Sequence, residues 1–583
     1  MKNVFKKICL PGLLVLLLAG CAPGQAKIED HPFAGRKPDQ SFYASYHYSL
    51  GVMLSLENNI DEAARELEQA LTFDPRSAYL AAELATLYSA KGEVRKAIVL
   101  CEKSLQDNPD DTNLHILLGG FYLHVKEYAN ATKKYQRASE LDQKNLVPYL
   151  YLGMIHAENR QYDDAIESFN KLLGIDPNNN MGNYYLARVL SETGKYEEAE
   201  QKFKKALNVK PMFEAALIEL GFLYEKQKKY ADAIEAYQDV VHYYPSRLNI
   251  RLKIGELLVR EKRYEEAEKN YRDILRIDGN NREGRFALGL YYFEQKRHEQ
   301  AIVELTILLA SNPEDQKGNY LLASAYREKK MYDQAMASFD KITAESDLYT
   351  SARINMGMIL KQGNKIEEAM AIIREAILKK KDAPGFYLFL STLQEGNKDF
   401  ATAEKTLKEG LQASPGDTDL HYSLGVLYEK TDRFQESIQE MEIVIKNDPD
   451  HADALNFIGY LYADKGLNLE NAEIMIKKAL QLKPENGYIM DSMGWLYFRQ
   501  NRMDLAVKYL KQALEALPDD ATIAEHLGDV YTKTGQTREA IEMYERALKA
   551  NSRDDLKKKL EQIKTKKDAS GSERTPRSVL RRK

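Results

Sequence analysis

Three cysteines and one tryptophan among 583 residues leave little room for a disulfide framework or a thiol-based metal centre. Cys9 lies within an N-terminal apolar run and Cys21 follows it. Cys101 is then the only thiol within the body of the chain, and stability must come from packing. No glycine-rich phosphate loop, His-Glu-x-x-His or Cys-x-x-Cys is present, and the ten histidines are scattered. His115 and His124, nine residues apart, do not share adjacent turns of one helical face, so no metal site is expected. Carboxylates such as Glu197, Glu198 and Glu200 fall where exposed helical faces should be, which makes them solubilising charges rather than an acid and base pair. No catalytic residue, cofactor or enzymatic activity is expected.

Long hydrophobic runs are also missing. The longest opens the chain, Ile8 to Leu18 after Lys2, Lys6 and Lys7, and its eleven residues are too few to span a bilayer. A charged head with a short apolar core reads as an export signal. Leu18, Ala19, Gly20 and Cys21 resemble the cleavage box of bacterial lipoproteins, which implies a signal peptide over 1–20 and a lipidated Cys21. The mature chain would sit on a membrane without crossing it. With Ala22 rather than aspartate after the cysteine, the same resemblance implies the outer membrane, facing the periplasm. Residues 21–43 are polar and broken by Pro23, Gly24, Pro32, Gly35 and Pro38, as a flexible tether would be.

Basic excess is absent too. Beyond the signal, 80 basic residues face 88 acidic ones, and the 12 basic and 5 acidic residues after Asn551 and Ser552 concentrate positive charge at the C-terminal end. An acidic body excludes nucleic acid as the main partner, because a phosphate backbone needs a basic stripe.

What the chain has in abundance is repetition. In Glu214 to Arg247, Leu217, Leu220, Gly221 and Tyr224 follow helical spacing. Tyr230, Ala233, Ile234 and Tyr237 follow it again after Gln227, Lys228 and Lys229. That predicts helix, tight turn, helix, closed by Pro245. Steps of 34 residues find the small residue of the first helix at Gly51, Ala85, Gly119, Gly153, Ala187, Gly221, Gly255, Gly289, Ala323, Gly357, Ser391, Gly425 and Gly459. One inserted residue between Lys465 and Asn471 shifts the register to Gly494 and Gly528, giving fifteen copies. The second helix answers with alanine in fourteen copies, from Ala63 to Ala540, and with Ser437 in the other. Small residues at both slots let the helix backbones approach closely.

Glycine at the eighth place, tyrosine often at the eleventh (Tyr122, Tyr224, Tyr292, Tyr428, Tyr497, Tyr531), alanine at the twentieth and proline at the thirty-second resemble the tetratricopeptide repeat. The resemblance implies an all-α solenoid, a right-handed superhelix of about fifteen helix-turn-helix repeats over 44–552. A capping helix over 553–567 would carry Leu556, Leu560 and Ile563, and a basic disordered tail would follow over 568–583.

In this family the second, fifth, ninth, twelfth and thirteenth places line the concave side. Carried over, they give a partner-binding groove of Tyr184, Phe222, Phe286, Phe293 and Tyr320, with a second cluster of Tyr460, Tyr488, Trp495, Phe498 and Arg499. Ile218, Leu252 and Leu290 lie on the same stripe and serve equally well as core between first helices. Trp495, Phe222 and Phe293 are expected to be exposed, and large aromatics in a groove mark binding of a peptide or helix. The lysine and asparagine pair with which chaperone-binding members grip a carboxylate is absent, as is the asparagine ladder of members fused to sugar-transferring enzymes. Length and signal are similar to tetratricopeptide lipoproteins that act as adaptors for periplasmic C-terminal processing proteases, bringing cell-wall hydrolases to the protease. The other expectation is a structural part of an exopolysaccharide or protein export apparatus.

Overall fold

The computed structural model describes residues 39–572. The signal sequence, Cys21, residues 22–38 of the expected tether and the tail from 573 lie outside the described residues, while residues 40–43, expected in the tether, form the first turn of α1 (Gln40–Leu56). The chain divides into two compact units, with the division between Ala267 and Glu268. Among the described residues there are 31 helices and no strand.

Each unit is a solenoid of paired helices in chain order. The block that defines the repeat folds as α11 (Glu214–Lys226) and α12 (Tyr230–Tyr243). The small residue at the twentieth place is fully buried in every copy, as in Ala165 and Ala233 at 0% exposure. Ser437, the one departure, is tolerated because its hydroxyl donates to the Gly425 carbonyl at 2.7 Å. At the eighth place both glycine and alanine occur opposite large side chains, alanine facing Phe203 and Phe339 as Ala187 and Ala323. A Cβ on Gly221 would stand 2.3 Å from Tyr237 Cε1, and one on Gly153 would stand 2.5 Å from Phe169. Where the facing residue is Cys101, alanine (Ala85) takes the place, and both are buried.

First helices open on a polar cap. Asp111, Asn179, Asp315 and Asp417 each accept from a backbone N–H three residues on. They end in a left-handed residue. Lys228 (φ 59°) donates its N–H to Glu225 O, and Lys229 donates to Tyr224 O at 2.9 Å, a Schellman closure. The same place is left-handed in every copy, usually without glycine: Asn58, Lys126, Arg160, Lys262, Lys296, Lys330, Asn364, Lys398, Asp432 and Asn501 all have positive φ. The inserted residue is absorbed by two left-handed positions, Gly466 (φ 68°) and Asn468 (φ 43°).

Two further regularities tie repeat to repeat. At the turn end, the eleventh-place tyrosine donates to a glutamate of the preceding repeat, and a cation reaches both. Tyr428 bonds Glu404 at 3.2 Å while Arg433 lies 4.2 Å from its ring centre and bonds the same carboxylate at 2.6 Å. Tyr292, Glu268 and Arg297 repeat the arrangement, as do Tyr497, Glu473 and Arg502. Burial disfavours the charged form of Glu404, but hydrogen bonds from Lys408 and Arg433 outweigh it and hold its pKa down at about 2. At the opposite end, the fourth-place side chain donates or turns to the carbonyl six residues back. Asn183 reaches Pro177 O at 3.1 Å, Asn319 reaches Pro313 O at 2.7 Å and Tyr387 reaches Lys381 O at 3.0 Å; His115 and His421 meet Pro109 O and Pro415 O.

Two elements depart from the expected lengths. α18 (Tyr332–Asp340) stops after nine residues, where other second helices have fourteen. The β-branched Ile342 and Thr343 follow, and Arg353 bridges from the next helix to the side chain and carbonyl of Asp340, closing the helix early. The last helix, α31 (Asp554–Ser572), runs beyond Lys567, into residues expected to be disordered. Its Leu556 and Ile563 are buried on the final repeat at 0% and 6% exposure, as a cap requires.

Candidate functional site

In the first unit the expected groove divides. Tyr184 on α9 (Asn180–Glu192) is not available to a partner: it is 8% exposed, with Phe213 at 4.9 Å and Tyr185 at 5.0 Å between ring centres. The cause is Phe213, which occupies the N-cap of α11 where most first helices have a polar residue. Burial, offset in part by Arg188, lifts the Tyr184 phenol to about 12. Phe222 is 46% exposed, with its edge against the Tyr237 ring at 5.9 Å. Ile218 and Leu252 are half-buried.

In the second unit Phe286, Leu290 and Phe293 on α15 (Arg282–Glu294) are half-buried, and Phe293 meets His298 edge to face at 5.4 Å. Tyr320 is half-buried over Phe339 at 5.5 Å. Its hydroxyl accepts from Asn355 Nδ2 at 3.3 Å, and Asn355 Oδ1 accepts from Arg327. These polar groups satisfy one another.

The later cluster is built differently. On α27 (Gly487–Arg499), Trp495 is half-buried with its indole stacked between Phe498 at 5.0 Å and His526 at 4.2 Å. The expectation of a free indole is corrected accordingly: one flank is covered by a residue of α29 (Ala521–Lys533). His526 Nδ1 lies 2.9 Å from Asp491 Oδ1, and both residues are under 10% exposed. Burial pulls the His526 pKa down, but the Asp491 carboxylate, with Asp529 and Glu525 beyond it, overcomes this and leaves it raised. Tyr460 on α25 (Ala452–Lys465) is half-buried, and burial together with Asp464 and Asp491 pushes its phenol to about 12. Tyr488 is 59% exposed, and Arg499 is exposed beside Gly466.

Two polar atoms of this cluster are buried without a partner: the Trp495 indole N–H and the Asn456 side-chain oxygen. One is a donor and the other an acceptor, at the ninth and fifth places of successive repeats. A buried orphan costs about 1–3 kcal/mol until something bonds it. The fifth and ninth places of the final repeat are closed instead, since Glu525 and Asp529 are engaged by Lys559 of the cap at 2.9 and 2.7 Å.

His526 and Lys559 were not singled out from sequence, because each acts across a repeat boundary. Cys101 is buried, and burial with Glu102 nearby lifts its thiol to about 12, which makes it packing rather than a nucleophile. Among the described residues no three His, Cys, Asp or Glu side chains are grouped to hold a metal, and no helix is long and apolar enough to cross a membrane.

This stack of helix pairs with small residues at both contact places defines a helical-repeat scaffold. Tetratricopeptide-repeat models match residues 54–120, 258–325 and 395–459, residues 218–282 and 492–555, and residues 317–344, 350–378 and 452–486. The chain belongs to the tetratricopeptide-repeat family, whose folds generally bind protein partners. A model described as anaphase-promoting complex, cyclosome, subunit 3 also matches residues 158–240. The chain is 31% identical over 163 residues to the TPR repeat-containing protein PA4667 of Pseudomonas aeruginosa, a match spanning 28% of each chain. Solved structures similar to it include the APC/C hetero-tetramer Cut9-Hcn1 (14% identity, TM-score 0.36, covering 82% of this chain and 95% of that one). Yeast Tom70 is another, at 16% identity and TM-score 0.34, covering 74% and 97%.

Proposed function

We propose that the protein is a non-enzymatic, lipid-anchored scaffold of the bacterial cell envelope that holds an extended segment of a partner against the wall formed by Asn456, Tyr460, Trp495 and Phe498. The observation that carries the reading is the unpaired Trp495 N–H and Asn456 oxygen beside stacked aromatic rings. A partner's backbone supplies an acceptor for the indole N–H and a donor for the amide oxygen once the two side chains turn outward, and its side chains lie on the rings. Recruitment of cell-wall hydrolases to a periplasmic protease is the pathway this reading favours, on the similarity of the chain's length and signal to such adaptor lipoproteins.

The test is affinity capture from gently solubilised envelopes with the full chain and with Trp495→Ala/Asn456→Ala. The wild type should retain a protease and the double variant should lose at least tenfold of it. Equal retention, or capture of an outer-membrane pore in place of a protease, refutes the reading. Metabolic labelling with palmitate, with Cys21→Ala as the unlabelled control, tests the anchor separately.

A further inference from the structure

The first helix, α1 (Gln40–Leu56), has the face of an internal repeat, and among the described residues no repeat covers it. At the third and tenth places of later copies the side chains are buried, as in Leu80 and Leu87 of α3 (Ala78–Ala90) or Leu114 and Phe121 of α5 (Thr112–His124). In α1 those places are Tyr46 at 55% and Met53 at 50% exposure. Phe42, at 56%, and the exposed Ser49 complete a stripe at spacings of four, three and four residues, the seam of a two-helix contact. Terminal repeats ordinarily end in a polar face. The other end of the chain does so, with Lys557, Lys558, Glu561 and Lys564 exposed on α31.

We propose that the occupant is a second copy of this chain, with α1 packed antiparallel on its two-fold mate. No residue of the stripe carries formal charge, so along it a two-fold contact sets no like charges against each other, with Asp39 and Glu57 lying at its ends. A head-to-tail contact would press this uncharged stripe onto the lysines of α31. The chain's own residues 22–38 are a poor cover: they hold Pro23, Pro32 and Pro38, with Phe33 as their one large aromatic. Ser49 lies at the middle of the stripe, where a small side chain lets two helices cross closely. Aromatics carry about 150–250 Å² each, but Phe42, Tyr46 and Met53 are already about half buried, so two such stripes remove roughly 700 Å² in total, below the range of stable specific interfaces. The dimer is therefore a weak one that forms where the chain is concentrated.

Ser49→Cys in the full-length chain, treated in intact envelopes with a short bismaleimide, should give a cross-linked pair. The wild-type chain with its own cysteines and Val99→Cys, exposed on α4 (Val94–Asp107), should not. Adding Tyr46→Lys to Ser49→Cys should lower the product at least tenfold with the helical circular dichroism unchanged. The proposal is overturned by absence of the product, by equal cross-linking through Val99→Cys, or by survival of the product in the Tyr46→Lys background. It is also overturned if Tyr46→Lys abolishes binding to anionic phospholipid vesicles while leaving cross-linking intact, which would place a lipid surface on the stripe.

Discussion

Replacing Gly221 by alanine puts a methyl where Tyr237 already stands, 2.3 Å from Cε1 and 2.6 Å from Cζ. Tyr237 is fully buried and its hydroxyl donates to Glu225 at 2.7 Å, so the ring has no free direction in which to yield. Overpacking of this kind costs about 1–3 kcal/mol. Removing glycine from a helix interior returns about 1 kcal/mol. The net expectation is a loss of about 1 kcal/mol, a roughly fivefold rise in local opening. In a Tyr237→Cys background the pair becomes the one that Ala85 and Cys101 form in the second repeat, both buried. There the added methyl meets space, and helix propensity plus one buried methyl make the same substitution stabilising by about 1–2 kcal/mol. Native-state hydrogen exchange by mass spectrometry, read on peptides from α11 and α12, measures each term locally, and the double-mutant cycle isolates the contact. If Gly221→Ala has the same sign in both backgrounds, helix pairing is not set by complementary size at these two places.

Protonation supplies two further tests. Glu404 and Glu473 are held at about 2, so their contribution is fully present above the ordinary glutamate pKa and is lost as pH falls toward 2. Acid should therefore raise exchange across these repeats between about pH 4.5 and 2, and Arg433→Gln should shift that rise upward. His526 has a raised pKa, so the stability it adds is complete below the unfolded histidine value and fades as pH climbs through the folded one. Trp495 emission, quenched by the stacked imidazolium, should increase over that interval, and His526→Gln should flatten it. Lys228→Gly should stabilise the α11 turn by about 0.5–1 kcal/mol, since a left-handed lysine pays a strain that glycine does not. Unchanged exchange at that turn would contradict it. Leu556→Asp should loosen the last repeat and speed exchange in α30 (Thr537–Ala550), leaving α1 unaffected.

The repeat was readable because its contacts are local and periodic. A small residue at the eighth place and another at the twentieth describe a single hairpin, and 34-residue spacing repeats it. What escaped reading crosses from one copy to the next. The eleventh-place tyrosines were visible, but their carboxylate partners belong to the preceding copy and stand at different places in it, Glu68 and Glu404 for example. The left-handed turn was hidden because lysine occupies it as often as any residue, and the Schellman bonds need only the backbone. Tyr184 was assigned to the wall by its place alone, and a neighbouring Phe213 in a cap position turned it inward. Trp495 is covered on one flank by His526, at a sixth place of the following copy that was searched only for asparagine.

The two edges of each solenoid are fastened by unlike chemistry. Along the turn edge the fasteners are carboxylates, guanidinium groups and phenols, which acid and salt weaken. Along the proline edge ion pairs such as Arg247–Glu214, Lys483–Asp453 and Arg137–Asp110 are interleaved with amide, imidazole and phenol contacts to carbonyls, so salt weakens only part of that edge. A strip sewn with two threads of different solubility does not slacken evenly when one dissolves. It curls, and a change in ionic strength alone would alter the pitch of either unit without breaking a single helix.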